Sequence, residues 1–413
     1  MRSRKNTALF PGKAPSCALG IQEFVTTDTS IPTASRYSVS MSPRAVAQPN
    51  PAMTERFAPA RSILEQAVRQ HAFPGAAWGV LHPGATVALD AVGRFTYEAS
   101  APAIQPETVF DLASLTKVIA TTAAAMLLVD RGLFDLDERL GDILPGFVIG
   151  MEPGSGKQHV TLRMLLAHTS GLPAYATLFR EHTTPAALLR AILRLPLEAK
   201  PGARTEYSDF GFILLGKVVE VLSAEPLDAF CAREIFAPLG LETTRFCPPQ
   251  ETRHAIPPTE DDLTFRGRVI QGEVQDENCF VLDGVAGHAG VFANVADLLR
   301  FAQCILGQGR TQDGKPLFQP ATVSQFATRQ GPPDGNSRAL GWDVPTEGSS
   351  SGRYFGPRSI GHLGYSGCSL WMDPDQELAV ALLTNRTWPD RSNDAIRQVR
   401  PAFHNAVVES LRG

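Results

Sequence analysis

Apolar runs that read as β-strands lie at the two ends of this chain, and the long stretch between them reads mainly as helix. Any sheet must therefore be closed by segments far apart in sequence. Residues 76–81 and 86–92 are short apolar runs split by His82-Pro83-Gly84, the pattern of a hairpin, and 108–110 begins a further extended piece. Residues 359–364, 369–373 and 378–384 supply three more runs near the end. Between them, 114–131 is a helix of strong formers closed by Gly132, and Thr161 caps 162–167. Residues 185–195 are amphipathic, and 210–222 are apolar with Gly211 and Gly216 allowing close approach. A helical stripe through Phe57, Ile63, Leu64, Ala67 and Val68 precedes the hairpin, and helices at 295–306 and 394–411 flank the late strands. The pattern predicts an α/β chain of the α+β kind, with one antiparallel sheet flanked by helices and a helical insertion. A sheet subdomain is expected at about 55–114 and 276–413, and a helical subdomain at about 115–275.

Bulk properties narrow the function. At 413 residues the chain can bury a large core, and 38 basic against 42 acidic residues leave a net charge of −4, which gives nucleic acid no footing. The six cysteines are scattered without a CxxC pair and read as reduced, packed side chains, including Cys368. Arg2, Arg4 and Lys5 open the chain, but Pro11, Gly12, Lys13 and Pro15 interrupt any apolar run, so no secretory signal is visible. Residues 1–54 read as a disordered leader or as a start placed too early, with Met41 and Met53 as alternative starts. The most apolar stretch, 118–129, is well short of the ~20 residues that span a bilayer, so no transmembrane segment is expected. Localisation stays open, leaning to the cytoplasm over the periplasm, and no pattern encodes an oligomeric state. Nine histidines occur without HExxH or paired-ligand spacing, and no GxGxxG or GxxxxGK[ST] appears. No metal and no cofactor are expected.

Three short segments carry chemistry. Ser114-Leu115-Thr116-Lys117 places a hydroxyl and an amine at i and i+3, on one face of a helix and in its first turn, where unpaired N–H groups favour an anion. A neighbouring amine is one way to activate a serine hydroxyl. Ordinary N-capping with an exposed lysine is the competing account. The apolar helix that follows Lys117 argues against it, because a buried ammonium needs a partner or a lowered pKa. Tyr207, on a loop after Lys200-Pro201-Gly202, can shuttle a proton to or from Ser114 if a cation such as Lys117 favours its phenolate, or can simply be a core tyrosine. Gly361-His362-Leu363-Gly364-Tyr365 opens a strand against which substrate can lie, and an N–H just after Gly364 can complete an oxyanion hole with that of Ser114. His168 reads as a loop-bonding residue, and His288 with Asp276-Glu277-Asn278 as turn formers that could also line a cleft.

In this order, Ser-x-x-Lys, Tyr-Ser-x and His-x-Gly resemble the β-lactamase-related serine hydrolases, which include class C β-lactamases, D,D-carboxypeptidases, D-aminopeptidases and esterases. The resemblance runs from about 55 to 410. It extends to Phe110-Asp111-Leu112-Ala113, the segment Leu165-Leu166-Ala167-His168-Thr169-Ser170-Gly171-Leu172-Pro173, Gly287-His288-Ala289-Gly290 and Leu383-Thr384-Asn385-Arg386. It implies the serine β-lactamase/D,D-peptidase fold with its site between the subdomains, and an acyl-enzyme formed on an ester, amide or lactam. Ser114 would be the nucleophile, Lys117 and Tyr207 the proton-transfer pair, His362 and Gly364 the substrate-facing strand, and Tyr365 the second oxyanion donor. Two departures stand out. Asp209 replaces a common Asn and cannot donate to a substrate carbonyl when ionised, though it can hold Lys117 as a cation. His362 replaces a common Lys and anchors a carboxylate more weakly. Both favour a substrate without a required carboxylate. A slowly acylating or purely ligand-capturing protein on the same fold is the alternative.

Overall fold

The structure is a computed structural model and describes residues 55–412. The reading of residues 1–54 lies outside the described residues. In chain order the elements that build the site are α1 (Ala58–Arg69), β1 (Gly75–Leu81), β2 (Thr86–Gly93), β3 (Phe110–Asp111), α2 (Ala113–Asp130), α3 (Leu162–Leu166), α4 (Pro185–Arg194) and α5 (Asp209–Ser223). Then follow β4 (Arg245–Phe246), β5 (Pro258–Asp262), β6 (Arg268–Gln271), α6 (Glu277–Val281), β7 (Val291–Ala293), α7 (Val295–Leu306) and α8 (Pro320–Ala327). The chain closes with β8 (Ile360–Leu363), β9 (Ser369–Asp373), β10 (Leu378–Thr384) and α9 (Ile396–Arg412).

The main sheet has the order β2-β1-β10-β9-β8, with every neighbour antiparallel. Strands far apart in sequence, β1 and β10, meet at its centre, where Ala76 pairs with Thr384 and Leu81 with Ala379. Side chains alternate between two buried faces. On β1 and β10, Ala76, Trp78, Val80, Leu378, Val380 and Leu382 join Phe57, Trp371 and Phe403 beneath α1 and α9. Their alternates Ala77, Ala379, Ala381 and Leu383 join the larger core on the other side, which runs on through α7, α2 and α5. A strand covered on both faces reads as a continuous apolar run, which is why these segments stand out in the sequence.

The second sheet, β3-β7-β4, is short but carries the turn into α2. The stretch 115–275, expected to be mostly helical, also contains β4 and the β5–β6 hairpin. That hairpin is polar and owes its turn to one side chain: Asp262 accepts from the N–H groups of Thr264, Phe265 and Arg266 and from the Arg266 guanidinium, so no apolar alternation marks it. Helix α2 is longer than the apolar run inside it. Ala113–Asp130 is long and apolar enough to cross a membrane by composition, and 83% of it is buried inside this fold as a core helix. Its winding is irregular, tight at Ala113–Leu115 and wide, with π turns, at Lys117–Thr122.

Two positions show how tightly the layers close. A Cβ at Gly287 would sit 2.0 Å from the Phe212 carbonyl and 2.9 Å from the Gly216 nitrogen, so α5 rests directly on the 287–290 segment. Gly287→Ala is expected to lower the unfolding free energy by about 3 kcal/mol, from overpacking against immobile backbone, and urea denaturation reads this. His404 on α9 is fully buried with Nδ1 2.7 Å from the Ser350 carbonyl, and burial pushes it down to about 4. The unfolded imidazole takes up its proton near 6.5, so this group withdraws stability as pH falls from 6.5 toward 4. Between pH 7 and 5 the wild type should lose about 2 kcal/mol relative to His404→Gln in paired denaturation curves; parallel curves would contradict a buried neutral ring.

Candidate active site

The site begins with a strained turn. Ala113 has φ +47°, a left-handed conformation that costs a residue with a side chain about 1–3 kcal/mol. The turn is held by Asp111, whose Oδ1 accepts from the Ala113 N–H (2.8 Å) and whose Oδ2 accepts from the Gln275 N–H (2.8 Å). It brings Ser114 to the edge of a cleft of about 740 Å³. One turn on, Lys117 is fully buried, and its three donors find three acceptors: Ser114 Oγ at 2.9 Å, Asp209 Oδ1 at 2.6 Å and the His288 carbonyl at 3.3 Å. Burial alone would lower the lysine pKa, but Asp209 and Tyr207 outweigh it and hold the group above its ordinary value, as a cation.

Asp209 lies in the first turn of α5, where the helix dipole favours its charge, and Ser208 caps that helix by accepting from the Gly211 N–H at 3.2 Å. Tyr207, one residue before the cap, is surrounded by cations and rings. Lys117 Nζ lies 4.7 Å from its ring centre and the Arg338 guanidinium 5.0 Å, with the His168 and His362 rings at 4.6 and 5.9 Å. His168 holds this loop in place: its Nδ1 accepts from the Ser208 N–H (3.0 Å) and its carbonyl accepts from the Glu206 N–H (2.8 Å). Burial, with Arg338, Lys117 and His362 nearby, keeps it well below its ordinary pKa and so neutral.

The opposite wall is β8 and the turn after it. His362 is buried, with Nδ1 2.8 Å from the Leu363 carbonyl, and burial together with Lys117 and Arg338 holds it well below the ordinary imidazole value. A neutral ring cannot serve as a cationic carboxylate anchor. Gly364 is required by a close approach, because a Cβ there would meet the Leu112 carbonyl at 2.4 Å. Its own N–H donates to the Cys368 carbonyl, leaving Tyr365 as the next residue on the cleft. Tyr365 is half exposed, its carbonyl accepts from Arg386 Nε (2.8 Å), and the Arg386 guanidinium lies 4.4 Å from its ring. The structure thus brings Ser114, Lys117, Tyr207, Asp209, His362, Gly364 and Tyr365 to one cleft. Cys368 stays beneath it, buried, with its thiol pushed up to about 11.

Several lining residues carried no usable signal in the sequence. Arg338 and its ion-pair partner Asp343 sit in an irregular segment with no motif. Tyr175 faces the cleft from the loop after Leu172-Pro173. His288 and Asp276, read as turn formers with a possible place in the cleft, do both. Asp276 caps α6 through the Cys279 N–H (2.7 Å) and also bonds His288 Nε2 (2.8 Å) on the cleft wall.

Residues 60–402 match the family described as Beta-lactamase. The chain is 33% identical over 353 residues to the N-acetylmuramyl-L-alanine amidase of Bacillus subtilis (strain 168), covering 76% of this chain and 77% of that protein. It is also 33% identical over 308 residues to a protein of Escherichia coli (strain K12) provisionally named a D-alanyl-D-alanine carboxypeptidase, covering 68% and 69%. Among solved structures, a penicillin-binding protein homolog from Caulobacter crescentus superposes with a TM-score of 0.68 at 20% identity, covering 86% of this chain and 98% of that one. Unliganded simvastatin synthase from Aspergillus terreus superposes with a TM-score of 0.65 at 22% identity, covering 87% and 100%. At such identities these two structures speak for the fold alone. The family match and the relatives together place the chain in the Beta-lactamase family, as a serine hydrolase with the serine β-lactamase/D,D-peptidase fold.

Proposed function

We propose that Ser114 is the nucleophile of a double displacement on a small ester, amide or lactam, with Lys117 and Tyr207 as its proton-transfer pair. The observation that carries this reading is the 2.9 Å hydrogen bond between Lys117 Nζ and Ser114 Oγ at the edge of an open cleft. Ser114 attacks the carbonyl carbon as its proton passes to the pair, and the backbone N–H groups of Ser114 and Tyr365 receive the oxyanion. The proton then goes to the departing alkoxide or amine, and water releases the acyl group by the same steps. No cofactor enters the scheme. The names of the amidase and carboxypeptidase relatives favour an amide. The neutral His362 favours a substrate that needs no carboxylate anchor on this strand. The same reading places the cleft between a sheet subdomain and a helical subdomain of about 115–275.

A second reading has one observation behind it. Asp209 holds Lys117 protonated, and an ammonium cannot take the serine proton, so the site could capture a ligand and turn it over slowly. Intact-mass spectrometry after exposure to a fluorophosphonate, a p-nitrophenyl ester and a penicillin separates the two. The expected result is an adduct on Ser114 that is lost in Ser114→Ala, with turnover of at least one carbonyl reagent. No adduct with any reagent in folded protein would leave only the binding reading.

The raised Lys117 pKa also sets a pH dependence. The free amine is scarce at neutral pH, so kcat/KM should climb into the alkaline range. Removing the Asp209 charge should move that climb to lower pH by about one unit or more in Asp209→Asn, because an adjacent carboxylate raises an amine by roughly that much. A profile left in place would exclude Lys117 as the titrating base.

A further inference from the structure

Asp111 is 2% exposed, and among the described residues its carboxylate bonds no cation. Its oxygens are spent instead on two main-chain N–H groups from distant parts of the chain, Ala113 and Gln275. Its own carbonyl accepts from Ser366 Oγ at 2.8 Å, with Cys368 Sγ 3.6 Å away, so the same residue also holds the turn that follows Tyr365. One residue on, Leu112 donates its N–H to the Val291 carbonyl (3.0 Å), and its own carbonyl lies under Gly364. Three walls of the cleft meet here: the nucleophile turn, the irregular segment running into Asp276 and Glu277, and the Tyr365 turn. An unpaired carboxylate in a core costs stability, and ordinary packing offers nothing in return.

We propose that Asp111 is a positioning residue for acylation, locking the Ser114 turn, the Gln275 segment and the Tyr365 turn into the one register in which both oxyanion donors face the same point. The inference rests on the reading of Ser114 as nucleophile. Without the clamp, Ala113 can relax from its left-handed conformation toward the favoured region, which swings the Ser114 N–H and Oγ together. Misplacement of a reacting group by about 1 Å can cost on the order of a hundredfold in rate.

The clamp needs both oxygens as acceptors. Protonation turns one of them into a donor facing an N–H, as does the amide of an asparagine. Burial pushes Asp111 up to about 6, against the pull of the Gln275 and Ala113 N–H groups. Of the charged groups facing it, Asp276 raises it further and Arg266 lowers it, and the thiols of Cys279 and Cys368 complete the titratable surroundings. Acid should therefore loosen the turn in folded protein.

The test is kcat/KM for a p-nitrophenyl ester, with the rate of fluorophosphonate labelling, from pH 5 to 9 in the full chain, with near-UV circular dichroism to monitor folding. Asp111→Asn is expected to lose about ten- to a hundredfold in kcat/KM at pH 8, mostly in kcat, and to slow labelling equally. The wild type should show an inflection near pH 6 that Asp111→Asn lacks. Wild-type kcat/KM in Asp111→Asn, or the same inflection in both proteins, would overturn the proposal. If Asp111→Asn does not fold, Ser366→Ala carries the test, since it keeps the carboxylate and removes the bond to the Asp111 carbonyl, together with a 3.3 Å contact to Cys368 Sγ; several-fold slower labelling is expected, and an unchanged rate overturns it. Labelling that persists in Ser114→Ala would count against the nucleophile reading instead, and not against the clamp.

Discussion

The buried ammonium of Lys117 organises this molecule. It sits on a core helix, out of water, and such a charge survives only where its donors are fully used and a counter-charge is near. Here the three acceptors come from three parts of the chain: Ser114 on its own helix, Asp209 at the start of α5 and His288 on the segment leading to β7. Meeting them fixes how α2, α5 and the 287–290 segment approach one another. The glycine at 287 then becomes obligatory, because α5 must come within van der Waals contact of that backbone.

The electrostatics of the cleft follow from the same arrangement. Burial first, and then the cations Lys117 and Arg338, both close to the Tyr207 ring, depress the neighbouring imidazoles of His168 and His362. The strand position of His362 is therefore neutral, while positive charge enters from the irregular segment that holds Arg338. Cleft carboxylates have cationic partners: Asp209 has Lys117, Asp343 has Arg338, and Glu277 has Arg391, which Glu260 shares. Asp111 is held instead by two main-chain N–H groups.

Much of this was legible before the structure. The central strands β1 and β10 are covered on both faces and so read as continuous apolar runs. The cap Thr161 marks the start of α3 by bonding the N–H group of Met164. Ser114 and Lys117 share a helical face, so their meeting needs only local geometry. The β5–β6 hairpin escaped notice because a single Asp262 carboxylate shapes it. Arg338 escaped because nothing near it in sequence marks a residue that reaches a tyrosine from a distant turn.

The amino-acid sequence alone determined the apolar runs that make the sheet, the i, i+3 pairing of Ser114 with Lys117, and the demand that a lysine in an apolar helix find a partner. These are consequences of helix and strand periods and of the cost of burying charge, and they need no knowledge of distant contacts. Only the tertiary structure decided which partners answer that demand, that His362 is neutral, and that Asp111 accepts from the distant Gln275 N–H. The reason is physical: a pKa and a hydrogen bond depend on distances of a few ångströms between groups separated along the chain by scores of residues, and the packed fold alone sets those distances.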